Sequence, residues 1–171
     1  HPALTGALGR ITGHPAGAQG LLLRLLPQHW RVLAGPPSLA SCSRDVYSPS
    51  LRLDPAQVRH IARSVAEAVA HLHGRGLLHG DVYAHNTLWD AATGAAVLSD
   101  FGAASALPPG ETGSALMRVE VRAVGILLGE LLDHCTAPPE SLRTLARACT
   151  QADPARRPSL PEFVATIGRA T

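Results

Sequence analysis

Residues 86–100, NTLWDAATGAAVLSD, constrain the fold more than any other stretch of the chain. Two short apolar segments, NTLWD (86–90) and AAVLSD (95–100), flank the turn-forming AATG, a pattern that predicts a two-stranded β-hairpin. A hairpin returns its far end to its starting point. Asn86 opens the first strand and Asp100 follows the second, while Asp81 lies in the polar loop just upstream. Two carboxylates and one amide, spread along the chain, are thereby directed toward one region. Oxygen donors of this kind suit a hard cation such as Mg2+.

The remaining elements are read around this hairpin. LTGALGRI (4–11) predicts a short strand, and GLLLRLL (20–26), bounded by Gly20 and Pro27, a buried one. A Pro/Ser-rich loop runs on through SPS (48–50). Asp54-Pro55 then offers an N-cap with proline at the first helical position. Val58, Ile61, Ala62, Val65, Val69 and Leu72 share one helical face, and Gly74 and Gly76 end the helix. ALPPGETGS (106–114) reads as loose chain. Helices follow over about 116–132, 141–151 and 161–170, with ADPARRPSL (152–160) as a turn. The expected fold class is α+β, mainly α.

Composition narrows the function classes. A chain of 171 residues, 46% apolar, is one domain able to bury a core, and with two Phe, two Trp and two Tyr that core must be built from Leu, Val and Ala. All fifteen basic residues are Arg, in the Ala/Gly/Pro-rich usage of a GC-rich bacterial genome. A net charge of +2 without a basic stripe argues against nucleic acid. The longest apolar runs are too short and charge-interrupted to span a bilayer, and no secretion signal opens the chain, so a cytoplasmic location is expected. Cys42, Cys135 and Cys149 form no CxxC, which favours reduced thiols over a disulfide frame or zinc site. His71, His73, His79 and His85 lie close in sequence but lack Cys partners or an HExxH pattern, which argues against a metal centre built on them. The first residue is His1 rather than Met, which marks an expected fragment.

Phosphoryl transfer requires a divalent cation held against the phosphates and a group that orients and deprotonates the acceptor hydroxyl. Asp81, Asn86 and Asp100 meet that requirement. HGDVYAHN (79–86) resembles the protein-kinase catalytic loop H-R-D-x-x-x-x-N, and DFG (100–102) resembles the metal-binding motif that follows it. VEVRAVGILLGELL (119–132) is similar to the central buried helix of kinases, with Glu120 in place of the usual Asp, and CTQADPARRPS (149–159) to their terminal signature. The chain thus resembles a divergent bacterial protein kinase of the kind found joined to leucine-rich repeats.

The resemblance implies a protein-kinase-like C-lobe over 27–171 and a remnant of the N-lobe sheet over 1–26. It implies ATP and Mg2+ as cofactors, a protein substrate, and an attached interaction domain outside this chain. Asp81 would be the base, and Asn86 and Asp100 the metal ligands. His79 and Phe101 would stack in an apolar spine. LLLRLLP (21–27) is similar to the last N-lobe strand and hinge, with Leu23 at the gatekeeper position, the backbone of Arg24 and Leu26 facing adenine, and Leu88 beneath the ring. Arg157 would pair with a glutamate, Glu111 and Glu120 being the candidates.

Four departures qualify the resemblance. The Gly-rich loop, the phosphate-gripping Lys and its Glu partner are expected before residue 1. Tyr83 stands where serine/threonine kinases carry a second Lys, and Gly80 where an Arg receives a phosphorylated activation loop; activation by such phosphorylation is not expected. The segment after DFG is short and carries no APE. Two alternatives follow: a small-molecule kinase of the aminoglycoside/choline type, whose loop HGDxxxxN resembles, and a pseudokinase scaffold.

Overall fold

The computed structural model describes residues 1–41 and 44–169, so Cys42 and the last two residues lie outside the described part. Strands β1 (Ala7–Ile11) and β2 (Gly20–Leu23) form an antiparallel ladder in which Ala7 faces Leu23 and Ile11 faces Gly20. β2 was expected to be buried; instead Leu21, Leu22 and Leu23 are exposed and Leu25, just beyond, is 94% exposed. The ladder has two strands only, and among the described residues no third strand pairs with it. The short strand β3 (Arg31–Val32) follows.

Helix α1 (Pro55–His73) carries the expected cap. Asp54 Oδ1 accepts from the Gln57 backbone N–H at 2.8 Å, and the Asp54 N–H donates to Gln57 Oε1 at 3.0 Å, satisfying two groups that a helix start leaves open. The face predicted from its period is buried. Strand β4 (Leu77–Leu78) leads into the polar loop. The predicted hairpin then forms as β5 (Thr87–Trp89) and β6 (Ala96–Leu98), with Leu88 opposite Val97. β3 pairs with the free side of β5, making a three-stranded antiparallel sheet. Leu98 is gripped on its other side by the start of the chain, its N–H donating to Ala3 O and its carbonyl accepting from Thr5 N. β7 (Ser105–Ala106) pairs with β4.

Helices α2 (Gly110–Asp133), α3 (Glu140–Cys149) and α4 (Leu160–Ile167) complete the fold. Leu127, Leu128, Leu131, Leu132, Leu142 and Phe163 join the buried face of α1 in one core, which is mostly aliphatic. α2 begins at Gly110, earlier than the loose reading of 106–114 anticipated. Gly110 adopts φ of +73° at the helix entry, and Gly113 lies so close to the Pro108 carbonyl that a Cβ there would sit 2.0 Å from its oxygen. Here glycine and proline start a helix. Arg157 also departs from expectation. It is buried, and its guanidinium donates to the carbonyls of Gln151, Arg118 and Ala152 at 2.8, 2.9 and 3.3 Å, with no ion pair to a glutamate among the described residues. The planar fork is filled by backbone carbonyls, one from α2 and two from the segment after α3, while Glu120 is engaged elsewhere and Glu111 is exposed. No helix among the described residues is long and apolar enough to cross a membrane.

Candidate active site

The loop between β4 and β5 turns at Gly80, whose φ of +81° and crowded position (a Cβ would lie 2.4 Å from the Ala103 oxygen) admit only glycine. The Gly80 N–H donates to Glu120 Oε1 at 2.7 Å, and the other oxygen of Glu120 meets His73 Nε2 at 2.7 Å. Buried Glu120 therefore ties the loop to α2 and α1 together. Beyond Asp81, a single 3₁₀ turn (Ala84–Asn86) delivers Asn86 beneath the loop. Asn86 is buried, and its side-chain nitrogen donates to the Asp81 carbonyl at 2.9 Å and to Asp81 Oδ2 at 2.8 Å. These bonds fix the carboxylate of Asp81 by a side chain from the turn that leads into β5.

His79 connects this loop to the segment after β6. Its Nδ1 accepts from the Asp81 N–H at 3.3 Å, so Nε2 carries the proton and donates to Ser99 O at 3.1 Å. Burial holds its pKa below the ordinary 6.5, overriding the pull of Glu120, Asp81 and Asp100, so the neutral form is kept. Its ring packs at 5.1 Å from that of Phe101, as the resemblance implied. Ser99 donates through both its N–H and its hydroxyl to the Asn86 carbonyl at 2.8 Å. Asp100 follows with φ of 60°, a left-handed conformation uncommon outside glycine, stabilised by the Gly102 N–H on its Oδ1 at 3.0 Å. Backbone strain of this kind clusters at functional positions.

A cavity of about 750 Å³ opens above this segment. Leu23, Arg24, Leu26, Leu88 and Asp100 all line it, so five of the residues singled out in the sequence share one space. Asp81 and Asn86 do not line it; they reach its floor through Ser99 and His79. Trp30 and Leu21 also line the cavity and were not anticipated. No backbone hydrogen bond among the described residues engages Arg24 or Leu26, which leaves their amide and carbonyl groups open to a ligand's edge.

Whether a nucleotide and Mg2+ suit these residues can be judged from the donors. Leu21, Leu23, Leu25, Leu26 and Leu88 with Trp30 and Phe101 supply the apolar walls that a flat aromatic base requires, and Asp100 adds a carboxylate. Asp81 Oδ1, Asn86 Oδ1 and Asp100 Oδ2 accept no hydrogen bond among the described residues. Among the described residues no three His, Cys, Asp or Glu side chains form a closed metal cage. Mg2+ is usually held by one or two protein oxygens while phosphates and water complete its shell, so unengaged oxygens of this kind suit it.

A family model described as "Protein kinase domain" matches residues 39–125, from the loop before α1 through the hairpin and into α2. No curated protein matches the chain.

Proposed function

Since the chain belongs to the protein kinase domain family, whose members are phosphotransferases, we propose that it transfers the γ-phosphoryl group of ATP to a protein hydroxyl. The observation that carries this reading is the Asn86 side chain locked on Asp81, one step from the cavity that Asp100 borders. Asp81 is the base: its free Oδ1 accepts the acceptor hydroxyl's proton while Asn86 prevents it from swinging away. Asn86 Oδ1 and Asp100 would hold Mg2+, and the leucines at 23, 26 and 88 with the backbone of Arg24 would enclose adenine. Bound Mg-ATP supplies the phosphoryl donor and neutralises charge on the phosphates. Neutral His79 keeps the loop and the Asp100 turn in fixed relation. In this reading residues 1–26 belong to the end of an N-lobe.

The start of α2 at Gly110 favours a second reading. It leaves only residues 103–109 between the DFG triplet and the helix, a small platform for a peptide. A small-molecule hydroxyl needs no such platform. Phosphate transfer by the intact protein, assayed against proteins and against a panel of metabolites, separates the two. Transfer that survives Asp81→Asn and Asp100→Ala would falsify the assignment of the site.

A further inference from the structure

We propose that Asp45, in the Ser-rich loop before α1, is a positioning residue that holds the catalytic loop in its working shape. The inference rests on the kinase reading of Asp81 and Asn86. The 3₁₀ turn that delivers Asn86 has no cap of its own: Tyr83 precedes it and makes no side-chain capping bond. Its leading N–H groups belong to buried Ala84 and half-buried His85. Asp45 satisfies them from far along the chain. Its side chain is fully buried; Oδ2 accepts from the Ala84 N–H at 3.1 Å and Oδ1 from the His85 N–H at 3.0 Å. The same Oδ1 meets His85 Nδ1 at 2.6 Å. One carboxylate thus performs the service of an N-cap for a turn it does not precede in sequence.

The position of Asp45 is itself fixed on both sides. Arg44 lies with its guanidinium carbon 4.1 Å above the Tyr83 ring and its Nε 3.2 Å from Glu130. Val46 exchanges two backbone hydrogen bonds with Gly35, both 2.9 Å, and Tyr47 donates its hydroxyl to Glu130 at 3.1 Å. From Asp45 the constraint passes to Ala84 and His85, then to Asn86 in the same turn, and from Asn86 to Asp81. Gly80 offers no cation for a phosphorylated loop to grip, so the order of the catalytic loop comes from this strap and from Glu120 rather than from phosphorylation.

The test uses the intact protein and two readouts. Asp45→Ala removes both acceptors and Asp45→Asn keeps one. For Asp45→Ala, kcat falls on the order of 10²-fold with the KM for Mg-ATP nearly unchanged, the signature of a misplaced base. Amide exchange in the 84–86 segment speeds up roughly 10-fold, the effect of a lost cap, while exchange in α1 does not. Asp45→Asn recovers part of both, and carries the test alone where the alanine variant does not fold. Unchanged exchange at 84–86, or a kcat loss matched by uniformly faster exchange everywhere, overturns the proposal. If the wild-type protein transfers no phosphate, the kinase reading fails, and local exchange still decides whether Asp45 holds the loop.

Discussion

The side-chain nitrogen of Asn86 lies 2.8 Å from Oδ2 of Asp81 and 2.9 Å from the Asp81 carbonyl, so one amide group fixes both the backbone and the carboxylate of the proposed base. Asn86→Asp keeps the shape and replaces a donor with a second carboxylate against the first. Like charges so close disfavour joint ionisation. The variant is expected to lose roughly 1–3 kcal/mol of stability at pH 7, the cost of a broken buried bond to a charged group, and to lose transfer activity. Protonation relieves the repulsion, so the stability deficit shrinks at acid pH. Denaturant titrations at two pH values check this; a deficit independent of pH contradicts it.

Gly80 stands where the resembled motif has arginine, and the structure supplies the reason. With φ of +81° and the Ala103 oxygen 2.4 Å from an added Cβ, no side chain fits without moving the backbone. Gly80→Ala is expected to cost roughly 1–3 kcal/mol, from strain and overpacking together. Restoring the motif by Gly80→Arg fails in the same way, because the clash is at Cβ. Urea midpoints for the two variants are expected to fall together; a stable arginine variant rules out this account of the loop.

His79 makes stability depend on pH with a definite sign. Its folded pKa is lowered below 6.5 by burial, so between that value and 6.5 the unfolded chain binds more protons than the folded one. Its contribution is complete above pH 6.5 and is lost as pH falls toward the folded value. Thermal melts of His79→Gln, which keeps a polar group but does not titrate in this range, are expected to show a flatter decline over that acid window than wild type. Identical slopes contradict the assignment.

What was legible in the sequence was what local chemistry decides. The Asp54 cap, the period of Val58 to Leu72 and the two runs around AATG each specify an element without reference to distant residues. The hairpin in turn carried the idea that Asn86 and Asp100 share a region. What escaped was decided by contacts across the chain. Leu21, Leu22 and Leu23 read as core because apolar runs usually are, yet a two-stranded ladder has nothing to bury them. Arg157 read as half of an ion pair, whereas turned-in carbonyls fill its fork. Asp45 left no signal at all among serines and prolines, since its partners at Ala84 and His85 are backbone amides, which no sequence pattern marks.

Cys149 offers a test of the packing beneath the site. Its thiol is fully buried between α3 and α2, where Gly125 approaches so closely that a Cβ there would lie 2.3 Å from that of Cys149. Burial pushes the thiol up to about 12 from 9.0. At pH 8 its thiolate population is then roughly three orders of magnitude below that of a free cysteine, and the thiolate is the reactive form. Peptide-resolved alkylation is expected to label partly exposed Cys135 promptly and Cys149 only at the rate of unfolding. Gly125→Ala forces the helices apart at this point, so it is expected to cost roughly 1–3 kcal/mol and to speed labelling of Cys149 more than that of Cys135. Prompt labelling of Cys149 in the folded wild-type protein contradicts the contact between the two helices.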